Sequence, residues 1–159
     1  MLHGCSLQSI DNRSYHIPAE FEQQEAIWLS WKENGFLGGD PFYTTILETI
    51  DAIHREVKVT ILYGPQLQYN REQMQDKIWK QLLARGIDTS RIQLFYNEKA
   101  FGAIQDPGPI FLKDSNGDLA IADFRYKHPD PRSEVIDRNV AKQRNLPVVS
   151  SEKVSEGGA

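Results

Sequence analysis

The chain has 159 residues, 40% of them apolar and 25% charged, with a formal net charge of −4 and a pI near 5.6. That length supports one domain with a sizeable core, and the acidic balance argues against a nucleic-acid partner, which would need a basic patch to displace counterions from phosphate. No apolar run approaches the roughly 20 residues that a membrane span needs, and a single cysteine can form no internal disulfide and fits a reducing, cytoplasmic setting.

Residues 1–19 are polar and read as a loosely tied arm, flexible through about residue 16. The opening residues lack the charged start and long apolar run of a signal peptide, so none is expected. Ala26-Ile27-Trp28-Leu29-Ser30-Trp31 is rich in strand formers and bounded by Glu25 and by Lys32-Glu33-Asn34-Gly35, which predicts a buried strand. Asp40-Pro41 then offers an N-cap followed by proline at the first helical position. Ile46, Leu47, Ile50 and Ile53 fall on one face of the helix that follows, which should end near Arg55. Val57, Val59 and Ile61 alternate with Lys58 and Thr60 as a strand does, and Gly64-Pro65 closes it.

Met74, Ile78, Trp79, Leu82 and Leu83 predict a second amphipathic helix, stopped by Gly86. Residues 91–96 form the next strand. Two further strand-like runs, 109–113 and 119–124, flank Asp114-Ser115-Asn116-Gly117-Asp118, where Asn-Gly is a strong hairpin signal. Asp130-Pro131 repeats the cap-and-proline device ahead of a helix carrying Val135, Ile136 and Val140, and Pro147-Val148-Val149 gives a short last strand. The order is β-α-β-α-β, a hairpin, then α-β. That is an α/β domain, although a central hairpin is foreign to a simple doubly wound sheet. Without a Pro/Gly/Ser linker the chain reads as a single domain, residues 1–159. A strand pair followed by helix and strand is a unit that could recur.

Two short motifs could carry chemistry. In Gln105-Asp106-Pro107-Gly108-Pro109, prolines on both sides of a glycine stiffen the backbone and would hold the Asp106 carboxylate at a fixed angle beside a strand. The bland alternative is a turn whose Asp caps local amides. Glu156-Gly157-Gly158, near the C-terminus, reads either as a tight turn bearing a carboxylate or as a solvated tail. Cys5 has no evident activating partner. His3, His16, His54 and His128 show no spacing of a metal site, so neither metal nor cofactor is expected. Trp28, Trp31 and Trp79 fall on apolar faces and read as core.

In combination these segments become recognisable. The run from Ile17-Pro18-Ala19-Glu20-Phe21-Glu22 to Trp28-Leu29-Ser30-Trp31 resembles the opening signature of the agmatine deiminase and Porphyromonas-type peptidylarginine deiminase family, Pro-Ala-Glu-Trp-Glu leading to Trp-Leu-x-Trp-Pro. Asp106-Pro107-Gly108-Pro109 is similar to its Arg-Asp-x-Gly-Pro motif and Glu156-Gly157-Gly158 to its Glu-Gly-Gly motif, in the same order. The resemblance implies an incomplete pentein, an α/β propeller of ββαβ units with roughly two of five blades present. It also implies hydrolysis of a guanidinium to a ureido group and ammonia, acting on agmatine or an arginine peptide. In that scheme Asp106 binds the guanidinium, Gln105, Gly157 and Gly158 line it, and Glu156 helps to position a histidine.

Lys32 stands where the family has proline, Gln105 where it has arginine and Ala103 where it commonly has tryptophan. The family's histidine and nucleophilic cysteine lie downstream of Glu-Gly-Gly, and neither Cys5 nor His128 matches them. The expectation is therefore a chain cut short, inactive alone and prone to self-associate through unpaired strand edges. The rival readings are a short or degenerate pentein-like binding module and a small nucleotide-binding α/β domain.

Overall fold

Lys58–Tyr63 is the strand about which the rest is built, and it is buried on both faces from Val59 onward. The computed structural model describes residues 14–19, 21–32, 43–65, 69–100, 108–125 and 136–154. Its elements are β1 (Tyr15–His16), β2 (Ala26–Ser30), α1 (Tyr43–Ile53), β3 (Lys58–Tyr63), α2 (Arg71–Ala84), a 3-10 turn (Thr89–Arg91), β4 (Ile92–Tyr96), β5 (Ile110–Asp114), β6 (Leu119–Arg125), α3 (Ile136–Arg144) and β7 (Val148–Val154). They form a parallel sheet ordered β2-β3-β4 and a mixed sheet ordered β1-β5-β6-β7.

In the parallel sheet Val59, Ile61 and Tyr63 point to one side, where Ile46, Leu47 and Ile50 of α1 and Met74, Ile78 and Leu82 of α2 close over them. Leu62 and Phe95 point to the other side, into a second core with Ile121 of β6 and Ile136, Val140 and Ala141 of α3. This double coverage explains a departure from the expected alternation: Thr60 is as buried as its apolar neighbours, because a central parallel strand has no solvent face. β2, at the sheet's edge, is by contrast only half buried along most of its length, not the fully buried strand expected.

Trp31 is sealed in the first core. Trp28 packs tilted against Phe95 and Phe111, at 5.1 and 5.7 Å between ring centroids, with the Arg144 guanidinium 5.3 Å from its ring. Trp79 is half buried against the first core.

α2 starts where the sequence supplies a reciprocal cap. Asn70 Oδ1 accepts from the Gln73 N–H at 2.9 Å, and Gln73 Oε1 accepts from the Asn70 N–H at 3.0 Å. Asn70→Ala should cost about 1 kcal/mol and lower the unfolding midpoint by about 2–4 °C in a thermal melt. The helix closes after Ala84, with the Ile87 N–H donating to the Leu82 carbonyl.

The β5-β6 hairpin forms as expected but by other means than a two-residue turn. Asp114 Oδ1 accepts from the Asn116 and Asp118 amides at 2.8 and 2.9 Å, and only Gly117 takes a left-handed conformation, at φ +89°. β7 is longer than expected, seven residues from Val148 to Val154. β5, β6, α3 and β7 together make the anticipated ββαβ unit.

Most of the N-terminal arm lies outside the described residues, but its end is placed. Tyr15 and His16 pair antiparallel with Asp114 and Lys113 of β5, so the chain is tied to a sheet from residue 15 onward. Backbone pairing, which composition does not report, holds this polar segment. Among the described residues no helix is long and apolar enough to cross a membrane.

Candidate active-site rim

The strands converge on one rim. β2, β3 and β4 run parallel with Ser30 level with Leu62 and Tyr63 level with Tyr96, so their C-terminal ends lie together. The chain leaving β4 folds back at once: the Asn97 N–H donates to the Tyr63 carbonyl at 2.9 Å and the Ala100 N–H to the Asn97 carbonyl at 3.0 Å. α3 ties the second sheet to the same place. Its start meets the end of β4 through Asn139 Nδ2 and Asn97 Oδ1 (3.4 Å), while its last turn meets the start of β4 through Arg144 Nη2 and Gln93 Oε1 (2.8 Å). Arg138, one residue from Asn139, donates to Asp123 near the end of β6. The C-terminal ends of parallel strands are where α/β sheets ordinarily bind ligands.

Sheet register fixes which strand ends lie at this rim. β5 runs antiparallel to β6 with Ile110 level with Ala122, and β7 runs parallel to β6 with Val149 at that same level. The start of β5 and the end of β7 therefore leave the sheet on one side, with β6 between them, about 10 Å apart at ordinary strand spacing. Asp106 comes four residues before Ile110, and Glu156 two residues after Val154. Asp106, Gln105, Glu156, Gly157 and Gly158 all lie outside the described residues, as do Cys5, Ala103 and His128.

The opening motif is connected to this arrangement. Glu22 closes a turn, its Oε1 accepting from the Ala19 N–H at 2.9 Å, and its Oε2 is 3.4 Å from Lys113 Nζ in β5. The amide bond and then Lys113 hold the Glu22 carboxyl below the ordinary range. The strand that follows Asp106 is thus gripped by the segment that begins the resemblance.

The rim also holds polar groups that the sequence reading passed over. Asp123, 5% exposed, is set in β6 facing α3. Its Oδ2 accepts from Arg138 Nε at 2.9 Å, Arg138 Nη2 at 2.8 Å and Ser150 Oγ at 3.1 Å. Asp137 Oδ1 and Asn97 Nδ2 are buried without hydrogen-bond partners among the described residues. Burial, and after it the negative charge of Asp123, push the Asp137 carboxyl up to about 8, against a smaller opposing pull from Arg138. A signal for Asp123 was available: one carboxylate in the otherwise apolar stretch Leu119-Ala120-Ile121-Ala122-Asp123-Phe124, where an unpaired charge would be too costly to bury. Asp137 offered none, since a carboxylate early in a helix is ordinarily a solvated one. Among the described residues no group of three or more His, Cys, Asp or Glu is placed to hold a metal ion.

An α/β fold of two small sheets containing a ββαβ unit is the architecture that the resemblance implied, and comparison with known proteins gives the family. Residues 16–159 match the family described as Porphyromonas-type peptidyl-arginine deiminase, and the chain belongs to that family. It is 32% identical over 115 residues to a Streptococcus mutans protein that carries the provisional name agmatine deiminase, covering 70% of this chain and 29% of that one. A Streptomyces coelicolor protein of the same provisional name is 26% identical over 167 residues, 92% of this chain and 43% of that one.

Among solved structures, the X-ray structure of another provisionally named agmatine deiminase superposes with a TM-score of 0.72 at 25% identity, over 91% of this chain and 41% of that one. The agmatine deiminase of Enterococcus faecalis superposes with a TM-score of 0.69 at 18% identity, over 91% of this chain and 40% of that one. The fold is thus part of a pentein. The chain spans less than half the length of the relatives it matches.

Proposed function

We propose that this chain supplies the carboxylate half of a guanidino-deiminase site, with Asp106 clamping the substrate's guanidinium and Glu156 orienting the histidine that serves it. What supports this reading is the register of β5, β6 and β7, by which the start of β5, four residues after Asp106, and the end of β7, two residues before Glu156, lie at one end of the sheet in a chain of this family. A planar guanidinium offers pairs of N–H donors, and carboxylates match them with paired, charge-assisted hydrogen bonds.

The reaction then needs groups from outside this chain's motifs. A cysteine thiolate adds to the guanidinium carbon, and a histidine gives its proton to the departing nitrogen, which leaves as ammonia. Water, deprotonated by the same histidine, adds to the thiouronium carbon; the C–S bond breaks to release the ureido product and the thiolate. Agmatine and arginine peptides are the substrate class.

Incubated alone with agmatine or an arginine peptide, the 159-residue chain should release no ammonia above background, because carboxylates cannot stand in for a covalent nucleophile. Binding should be weak, about −4 kcal/mol or millimolar, as expected of a partial enclosure. Asp106→Ala should abolish that binding in an NMR titration, and Cys5→Ala should leave it unchanged. Turnover that disappears on Cys5→Ala would overturn the assignment by making the N-terminal thiol the nucleophile.

A further inference from the structure

The pairing of β6 with β7 breaks at one point. From Ile121↔Val148 to Asp123↔Ser150 the two parallel strands advance together, one residue at a time. The next pair is Arg125↔Val154, so β7 spends four residues where β6 spends two, a bulge or irregularity between Ser150 and Val154. A bulge bends its strand and redirects the side chains that follow, and bulges are frequent beside active sites for that reason. Here Glu156 comes two residues after the resumed pair.

What stands at the break is a single carboxylate oxygen. Asp123 Oδ2 takes Ser150 Oγ from β7 and both Nε and Nη2 of Arg138 from α3, so β6, β7 and α3 meet at one buried atom. A charge buried this far is tolerated only where its donors are held in place, so its partners are fixed in direction as well as in distance. The Arg138 side chain is 64% exposed while that of Asp123 is 6% exposed. Removing either partner would leave the other without its counter-charge, and for the buried Asp123 that is costly.

We propose that Asp123, with Arg138 and Ser150, is a positioning anchor that fixes where the register of β7 on β6 shifts and thereby the direction in which the chain leaves β7 toward Glu156. The role of Glu156 is taken from the proposed function; the effect of the anchor on the path of the chain beyond β7 does not depend on it.

The test uses the whole chain and two variants, Asp123→Asn and the milder Ser150→Ala at an exposed position, with agmatine as the probe. In ¹⁵N–¹H spectra the amides of Gly157 and Gly158 should shift in both variants while those of α2 stay in place. Agmatine should bind about three- to tenfold more weakly, the loss of one well-aimed hydrogen bond. Folded variants whose Gly157 and Gly158 signals do not move overturn the proposal, as does unchanged agmatine affinity when Glu156→Gln weakens it. If Glu156→Gln leaves agmatine binding untouched, or the parent chain does not bind it, the proposed function fails and the glycine shifts alone decide the anchor. Should Asp123→Asn not fold, Ser150→Ala decides by the same readouts.

Discussion

Asp137→Asn should make the protein markedly more stable above neutral pH and leave it unchanged near pH 4. In the folded chain the Asp137 carboxyl keeps its proton to about 8, against an ordinary value of 3.8. Between those values the unfolded state has released the proton and the folded state has not. Stability therefore falls as pH rises through that window, with the full penalty present only above about 8. At pH 7 the penalty is about 4 kcal/mol as an order of magnitude, a large share of the roughly 5–15 kcal/mol that holds a domain together.

The physical causes are on the rim: burial first, then Asp123. Arg138, the cation at hand, has its Nε and Nη2 engaged by Asp123 Oδ2. The amide of the variant cannot ionise, so urea unfolding at pH 4, 6 and 8 should give curves that separate progressively from the parent's. Parallel pH dependences in the two proteins would show that Asp137 is ionised in the folded state, with a partner to match.

How much of this was legible beforehand depends on what kind of physics each feature uses. The element order was readable because Ile46, Leu47 and Ile50, or Met74, Ile78 and Leu82, repeat at helical spacing, and the same residues prove to be buried. Boundaries shifted where backbone geometry decides them: Arg91 belongs to a 3-10 turn and β7 extends past Val149 through Val154. The pairing of Tyr15 and His16 with β5 was hidden because a polar dipeptide carries no periodicity. At the candidate site the two motifs were legible from their residue types and their order. Both motifs lie outside the described residues, and the nearest described positions, the start of β5 and the end of β7, share one end of the sheet through strand directions that were readable only as far as the hairpin. Asp123 stood out as a lone carboxylate in an apolar run, whereas Asp137 and Asn97 carried no such signal because each depends on a neighbour distant in sequence: Asp123 and Asn139, respectively.

Gly64→Ala should be among the most damaging single-methyl changes at the described residues. A Cβ at residue 64 would lie 2.3 Å from the Ala100 carbonyl oxygen and 2.9 Å from that of Asn97. Both are backbone atoms of the turn by which β4 leaves the sheet. No side chain can swing aside to make room, so the turn itself must move. It is not free to do so, since the Asn97 N–H is bonded to Tyr63 and both Asn97 and Ala100 are buried. Forcing a methyl into such a place costs about 1–3 kcal/mol or more, which for a chain of this size lowers the unfolding midpoint by about 2–4 °C per kcal/mol.

Gly117→Ala is the informative comparison. Gly117 sits at φ +89° with only Lys113 Cε near the added carbon, at 3.8 Å, so that variant carries backbone strain without collision and should cost about 1 kcal/mol. The two should also differ in function. Ala100 leads into the segment that carries Asp106, so Gly64→Ala should weaken agmatine binding even at temperatures where the protein remains folded, whereas Gly117→Ala, in the hairpin turn at the opposite end of β5, should not. If the two variants melt together and bind alike, the close packing of the β4 exit on Gly64 does not hold the site's approach, and the rim would have to be set from β7 alone.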